Sequence, residues 1–312
     1  MRIPTGESLA VLTRNNIVES IHAGHLVSIN SQGETDLVIG NKSEICYPRS
    51  SIKAVQAAAM VRAGLALSPE LLALAASSHS GAAMHQEGVI EILQQHNLTI
   101  DALQNSKDKP LGEAERIAWG SKEPTRLAMN CSGKHAAMLS TCVINGWDTA
   151  HYLSPDHPLQ KAIVAEANSL GIKIDSQTFD GCGAPLFAVE IESLAQAFHK
   201  MTISSDPVYQ SVMDACRTNP VMVAGNKRLT TRMMERFPGL FMKDGVEAFM
   251  VATYKDGSSV AFKISDGSPR AFATILYRTL NHWGINADLV ADGEELVVYG
   301  GSNPVGALAA AF

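Results

Sequence analysis

Extended segments lie at both ends of this chain with a long helical block between them, and that order limits the folds open to it. His25 to Asn30 and Asp36 to Gly40 flank Ser31-Gln32-Gly33-Glu34-Thr35 and read as a β-hairpin. Helical patterns follow over 51–67, 69–77, 85–96, 112–119, 133–144 and 158–170, then near 192–200, 206–217 and 229–236. Val246 to Tyr254 and Ser258 to Ile264 form a second hairpin across Lys255-Asp256-Gly257, and a helix over 270–283 and a strand over 295–299 close the chain. Two extended ends can satisfy their backbones together in one sheet. The expected architecture is α+β: one domain over 1–312, with an antiparallel sheet from about 8–45 and 240–312 and an all-helical lobe over about 50–235 inserted into it.

Bulk properties exclude several classes of function. The 312 residues are 46% hydrophobic and 18% charged, ordinary for a soluble globular protein that buries a sizeable core. A net charge of −6 without a basic run argues against nucleic acid. No apolar stretch approaches the roughly 18 residues of a membrane span, and Met1 to Glu7 lacks the apolar core of a signal peptide. Cys46, Cys131, Cys142, Cys182 and Cys216 are odd in number and scattered, which suits reduced thiols in a cytoplasm.

Four segments concentrate reactive groups. Ser50 and Lys53 stand where an Ala-rich helix should begin, after Tyr47-Pro48-Arg49, with Ser50 at or near the N-cap. A serine hydroxyl becomes nucleophilic when a neighbouring base takes its proton, and a buried lysine can be that base. The same spacing in Ser106-Lys107-Asp108-Lys109 precedes a proline and no apolar helix, so it is set aside. Ala76-Ser77-Ser78-His79-Ser80-Gly81 follows an apolar helix and by itself reads as a polar cap. Asn130-Cys131-Ser132-Gly133-Lys134-His135 opens another helix, as either an oxyanion site or a plain helix start. Phe179-Asp180-Gly181-Cys182-Gly183-Ala184-Pro185 reads as a constrained turn. Cys131 and Cys182 could share a metal with Lys134 or an Asp, although no Cys-x-x-Cys supports it.

Taken together, and with Ile17 to His25, Leu153 to Pro158 and Met222 to Gly225, these segments resemble the rhizobial-type, or class 3, L-asparaginases, the asparaginase II family. The resemblance covers nearly the whole chain, and the Asn-Cys-Ser-Gly-Lys-His and Asp-Gly-Cys motifs are its specific part. It implies a fold like the serine β-lactamases and glutaminases, homodimers, and two Ser–Lys pairs. The first pair maps onto Ser50 and Lys53, and the second onto Ser78 with Lys243, for which Lys263 is a competitor. The zinc ligands it implies are Cys131, Lys134 and Cys182 with Asp180 close by, and Arg49, His135 and Asp180 are the candidate substrate contacts. Relatives commonly carry an acid shortly after the Ser-His-Ser segment, whereas Gly81-Ala82-Ala83-Met84 has none.

The expected function is hydrolysis of L-asparagine to L-aspartate and ammonia. Ser50, deprotonated by Lys53, attacks the side-chain amide to form an acyl-enzyme, while Ser78 and its lysine relay protons and Arg49 holds the substrate carboxylate. Alternatives are a glutaminase, a β-lactamase-like hydrolase and a non-catalytic zinc or ligand-binding relative. Neither Ser-Asp-Asn nor Lys-Thr-Gly occurs in the chain, which weighs against the β-lactamase reading.

Overall fold

Strand pairing between the two chain ends sets the architecture. The computed structural model describes residues 6–312, so most of the Met1 to Glu7 stretch lies outside the described residues. The N-terminal end supplies β1 (Glu7–Arg14), β2 (Ile17–Ile29), β3 (Thr35–Ile39) and β4 (Ile45–Cys46). The helical block carries α1 (Lys53–Arg62), α2 (Pro69–Ala75), α3 (Ala83–Gln94), α4 (Glu113–Trp119), α5 (Ser132–Ile144) and α6 (Pro158–Ser169). Strands β5 (Ile174–Phe179) and β6 (Pro185–Glu190) follow, then α7 (Ile191–Ile203), α8 (Pro207–Thr218), α9 (Pro220–Val223) and α10 (Leu229–Arg236). The C-terminal end adds β7 (Phe241–Gly245), β8 (Phe249–Thr253), β9 (Ser259–Ile264), α11 (Phe272–His282), β10 (Val297–Gly300) and β11 (Asn303–Ala310).

The main sheet is antiparallel, ordered β10-β11-β1-β2-β9-β8-β7, with β3 also on β2. Its middle is where the ends meet: Leu12 pairs with Leu308 across β1 and β11, and Leu26 with Phe262 across β2 and β9. Helices cover both faces. Ser259 donates to Ala195 O of α7 at 2.8 Å, whereas Phe262, an odd number of residues along β9, packs its ring on Phe272 of α11. Burial on two sides explains why all five residues of β8 are buried.

Both expected hairpins form, as β2–β3 and β8–β9. The inserted block is not all-helical, which corrects the expectation. Strands β5 and β6 lie within it and pair with β4 of the N-terminal end in a small sheet ordered β4-β6-β5, and the turn between β5 and β6 carries Asp180 and Cys182. Strand β5 (Ile-Asp-Ser-Gln-Thr-Phe) is mostly exposed and shows no apolar alternation to read. Helix starts follow their capping chemistry: Ser68 caps α2 and Asp206 caps α8, each with Pro at the first position. Helix α1 is buried from Lys53 through Met60 and α5 from Ser132 through Cys142. These two central helices bring Lys53 and Lys134 inside. Among the described residues no helix is long and apolar enough to cross a membrane.

Candidate active site

The sequence before α1 does not make the expected cap. Arg49 to Ile52 form a 3-10 turn entered at Arg49 with φ +52°, and Ile52 is the residue flanking α1. Ser50 therefore sits inside the turn and faces a cavity of about 270 Å³, where Ser78, Asn130, Arg228, Asp244 and Glu247 join it.

Lysine 53 does not turn to Ser50. Its Nζ donates to Ser77 O at 2.5 Å, Ser78 Oγ at 3.1 Å and Cys131 Sγ at 3.0 Å, which uses the three N–H groups of an ammonium. Among the described residues Ser50 Oγ has no hydrogen-bond partner. From β7, Lys243 Nζ approaches Ser78 Oγ at 2.9 Å, so one hydroxyl lies between two buried amines. Lys263 is elsewhere, donating to Glu247 O and Ile264 O. Burial pushes Lys243 down to about 8, with Lys53 and Arg228 adding repulsion and Asp244 opposing. Burial works against ionisation of Asp244, but Lys243 and Arg228 hold its carboxyl well below the usual range.

The loop carrying Ser78 is pinned from several sides. Its backbone N–H donates to Val223 O at 3.0 Å, and the N–H of His79 to Asn130 O at 3.1 Å. Gly81 N–H donates to His79 Nδ1, which leaves the ring proton on Nε2 toward Ser132 Oγ at 2.9 Å. Full burial, with His85 and Lys53 nearby, keeps His79 far below its ordinary pKa, so it is a neutral strut. No acid follows Ser80 in sequence, but from α4 Glu115 Oε1 accepts from Ser80 Oγ at 2.8 Å. Opposite, Gly225 at φ +119° presses on Ser80, and a Cβ there would lie 2.4 Å from the Ser80 Cβ.

That contact fixes the approach to Arg228, which sequence reasoning missed. Arg228 donates to Asp244 Oδ2 at 2.7 Å and to Ser78 O at 2.8 Å and lines the cavity. Arg49 is already engaged: its Nε and Nη2 reach Asp180 Oδ1 at 2.9 and 2.6 Å.

A second cluster lies behind Ser78. Cys131 and Cys182 lie in one buried cluster, and Lys134 Nζ donates to Cys182 Sγ at 3.4 Å. All three side chains are buried, and Met129, Ala184 and Leu153 pack around the thiols. The neighbouring Cys131 thiol lowers the Cys182 pKa against the effect of burial, with Lys134 adding to it, while Cys131 is pushed up. Burial disfavours the Lys134 ammonium, yet Cys182, Cys131 and Asp180 raise its pKa. His135 Nδ1 meets Tyr152 OH at 2.8 Å, and among the described residues its buried Nε2 has no hydrogen-bond partner. Two thiols and an amine are donor types that a zinc ion takes. Among the described residues no group of three or more His, Cys, Asp and Glu side chains gathers for a metal, so any such site must include Lys134.

The sequence model of L-asparaginase II matches residues 10–309. The chain belongs to the L-asparaginase II family. Family membership implies hydrolysis of asparagine in general and a small-molecule substrate, and it agrees with the α+β fold. A comparison with curated proteins finds no match.

Proposed function

We propose that this L-asparaginase II family member converts L-asparagine to L-aspartate and ammonia through an acyl-enzyme on Ser78. The observation that carries the reading is Ser78 Oγ lying 2.9 Å from Lys243 Nζ and 3.1 Å from Lys53 Nζ on a small cavity. Lys243, brought near neutrality by burial, takes the hydroxyl proton as Oγ attacks the amide carbon. Lys53 donates to Ser78 Oγ, and this N–H offsets the charge developing there. As the C–N bond breaks, the proton on Lys243 passes to the leaving nitrogen and ammonia departs. Water then attacks the ester, returns a proton to Ser78 by way of Lys243 and releases aspartate. Arg228, with N–H groups to spare beyond Asp244 and Ser78 O, takes the substrate α-carboxylate in place of Arg49.

A second reading places the acyl group on Ser50 and has Ser78 pass its proton to Lys243. The open Ser50 hydroxyl on the cavity wall favours it. An electrophilic asparagine analogue bearing a diazoketone, followed by peptide mass spectrometry, identifies the labelled serine. Label on Ser78, with kcat of Ser78→Ala down by roughly three or more orders of magnitude, supports the first reading; label on Ser50 replaces it with the second. Ammonia release from asparagine and glutamine side by side ranks the substrates, and turnover of neither leaves a ligand-binding relative.

Zinc on Cys131, Lys134 and Cys182 belongs to the same proposal, and a bound zinc ion would supply electrostatic orientation of the substrate carbonyl. Elemental analysis of protein purified without added metal should find about one zinc per chain, bound more weakly as pH falls and protons compete for the ligands. Less than about a tenth of an equivalent, with chelator without effect on KM, returns Cys131 and Cys182 to buried thiols. A homodimer in a cytoplasmic setting completes the reading, and sedimentation velocity gives the mass.

A further inference from the structure

The cavity wall facing the two serines is a turn built under strain. Between β7 and β8, Glu247 and Ala248 stand at φ +62° and +54°, a region that non-glycine residues rarely occupy twice in succession. The turn is held there from behind: Lys263 Nζ donates to Glu247 O at 2.5 Å and to Ile264 O at 2.6 Å. Across from it, Gly267, at φ +77°, packs so closely that a Cβ there would lie 2.5 Å from Glu247 Oε2. The Gly267 loop is itself fixed, because Asp266 Oδ2 accepts from His22 Nδ1 at 2.7 Å while Arg270 donates to His22 Nε2. Backbone geometry and both flanking loops thus present one carboxylate to the cavity.

The charge balance shows what that carboxylate is for. Lys53, Lys243 and Arg228 crowd the serine side with positive charge, which suits a substrate α-carboxylate and repels an α-ammonium. Asp244 cannot answer that ammonium, since its oxygens already accept from Arg228, Thr230 and Lys243. Glu247 lines the same cavity, and among the described residues its carboxylate has no hydrogen-bond partner. We infer that Glu247 binds the α-ammonium group of the substrate and makes the site selective for free amino-acid amides over amides that lack the amine. The inference rests on the asparaginase reading above and adds a specificity-determining residue to it.

The test compares L-asparagine with succinamate, the same amide without the ammonium group, in the wild type and in Glu247→Gln, with Glu247→Asp as a shorter acid. Calorimetry with L-aspartate and succinate reads the same contrast without turnover. Glu247→Gln should lower kcat/KM at least about tenfold more for asparagine than for succinamate, with the excess in KM, and Glu247→Asp should fall between. The Gln variant should likewise lose affinity for aspartate but not in the same measure for succinate. Equal losses for the two amides, or none, overturn the inference. A wild type that hydrolyses neither amide removes the proposed activity alone. In that case the aspartate–succinate contrast still decides the role of Glu247, and equal affinities for the two diacids, or none for either, end it.

Discussion

Ser78 Oγ lies between two lysines that the fold treats differently. Lys53 has all three donors engaged, whereas Lys243 is the amine that burial brings to about 8. At pH 7 roughly a tenth of Lys243 is neutral, so kcat should climb with pH and level off above about 8. Lys243→Ala should lower kcat about 10²- to 10⁴-fold and remove that limb; a variant that keeps the limb assigns it to another group. Stability carries the same signature with a definite sign. Because the folded pKa lies below the unfolded one, the unfolded chain binds the extra proton between pH 8 and 10.5, and the wild type gains stability as pH rises through that window. Lys243→Met lacks this gain. Its stability relative to wild type, from urea unfolding at pH 7 and 9.5, should therefore decline with pH whatever its offset at pH 7. At this scale the sequence was partly legible. The Ser-x-x-Lys spacing put Ser50 and Lys53 one turn apart, but spacing does not choose the rotamer that sends Lys53 to Ser78 and Cys131. Arg228 stands in no motif at all, and only the fold brings it 2.7 Å from Asp244.

At the scale of elements, the site depends on loops locked to one another. The segment after α2 meets the loop before α10 where Gly225 lies against Ser80, and Arg228 hangs from that contact. Gly225→Ala places a Cβ 2.4 Å from the Ser80 Cβ at φ +119°, so both loops must shift. It should cost about 2–4 kcal/mol of stability and raise KM for asparagine more than it lowers kcat, through a displaced Arg228. Thermal unfolding with steady-state kinetics checks this, and an unchanged KM in a destabilised protein would uncouple Arg228 from substrate. Helices were the readable elements, since Ala-rich runs bounded by Ser68-Pro69, Asp206-Pro207 and His157-Pro158 carry their own start signals. Strands without alternation were not readable. β5 is mostly exposed, and β11 (Asn-Pro-Val-Gly-Ala-Leu-Ala-Ala) buries only Leu308. Its place in the sheet is set by β1, not by its own pattern.

At the scale of the molecule, the sheet and the helical block share one core. A single cluster of buried apolar residues runs from Leu9 of β1 through Ala57 of α1, Leu139 of α5 and Phe198 of α7 to Phe262 of β9 and Leu308 of β11. Helices α7 and α8 connect the parts: α7 packs on β2, β8 and β9, and α8 on α1 and α2. The ring of Phe198 in α7 stacks on Phe241 of β7 with centroids 5.5 Å apart. The cavity is at this junction, with Ser78, which Lys243 of β7 contacts, from the helical side and Asp244 and Glu247 from the sheet side. A helical block able to melt alone would pull Lys53 and Ser78 from Lys243 while leaving β1, β2 and β9 paired. The shared core opposes that, because separating the halves exposes apolar surface on both. Differential scanning calorimetry of the whole chain should therefore give one transition, with calorimetric and van't Hoff enthalpies agreeing within about 20% per cooperative unit. Loss of activity should coincide with it. Two resolved transitions, with activity lost in the first, would make the helical block a separate domain and the site a cleft between two folding units.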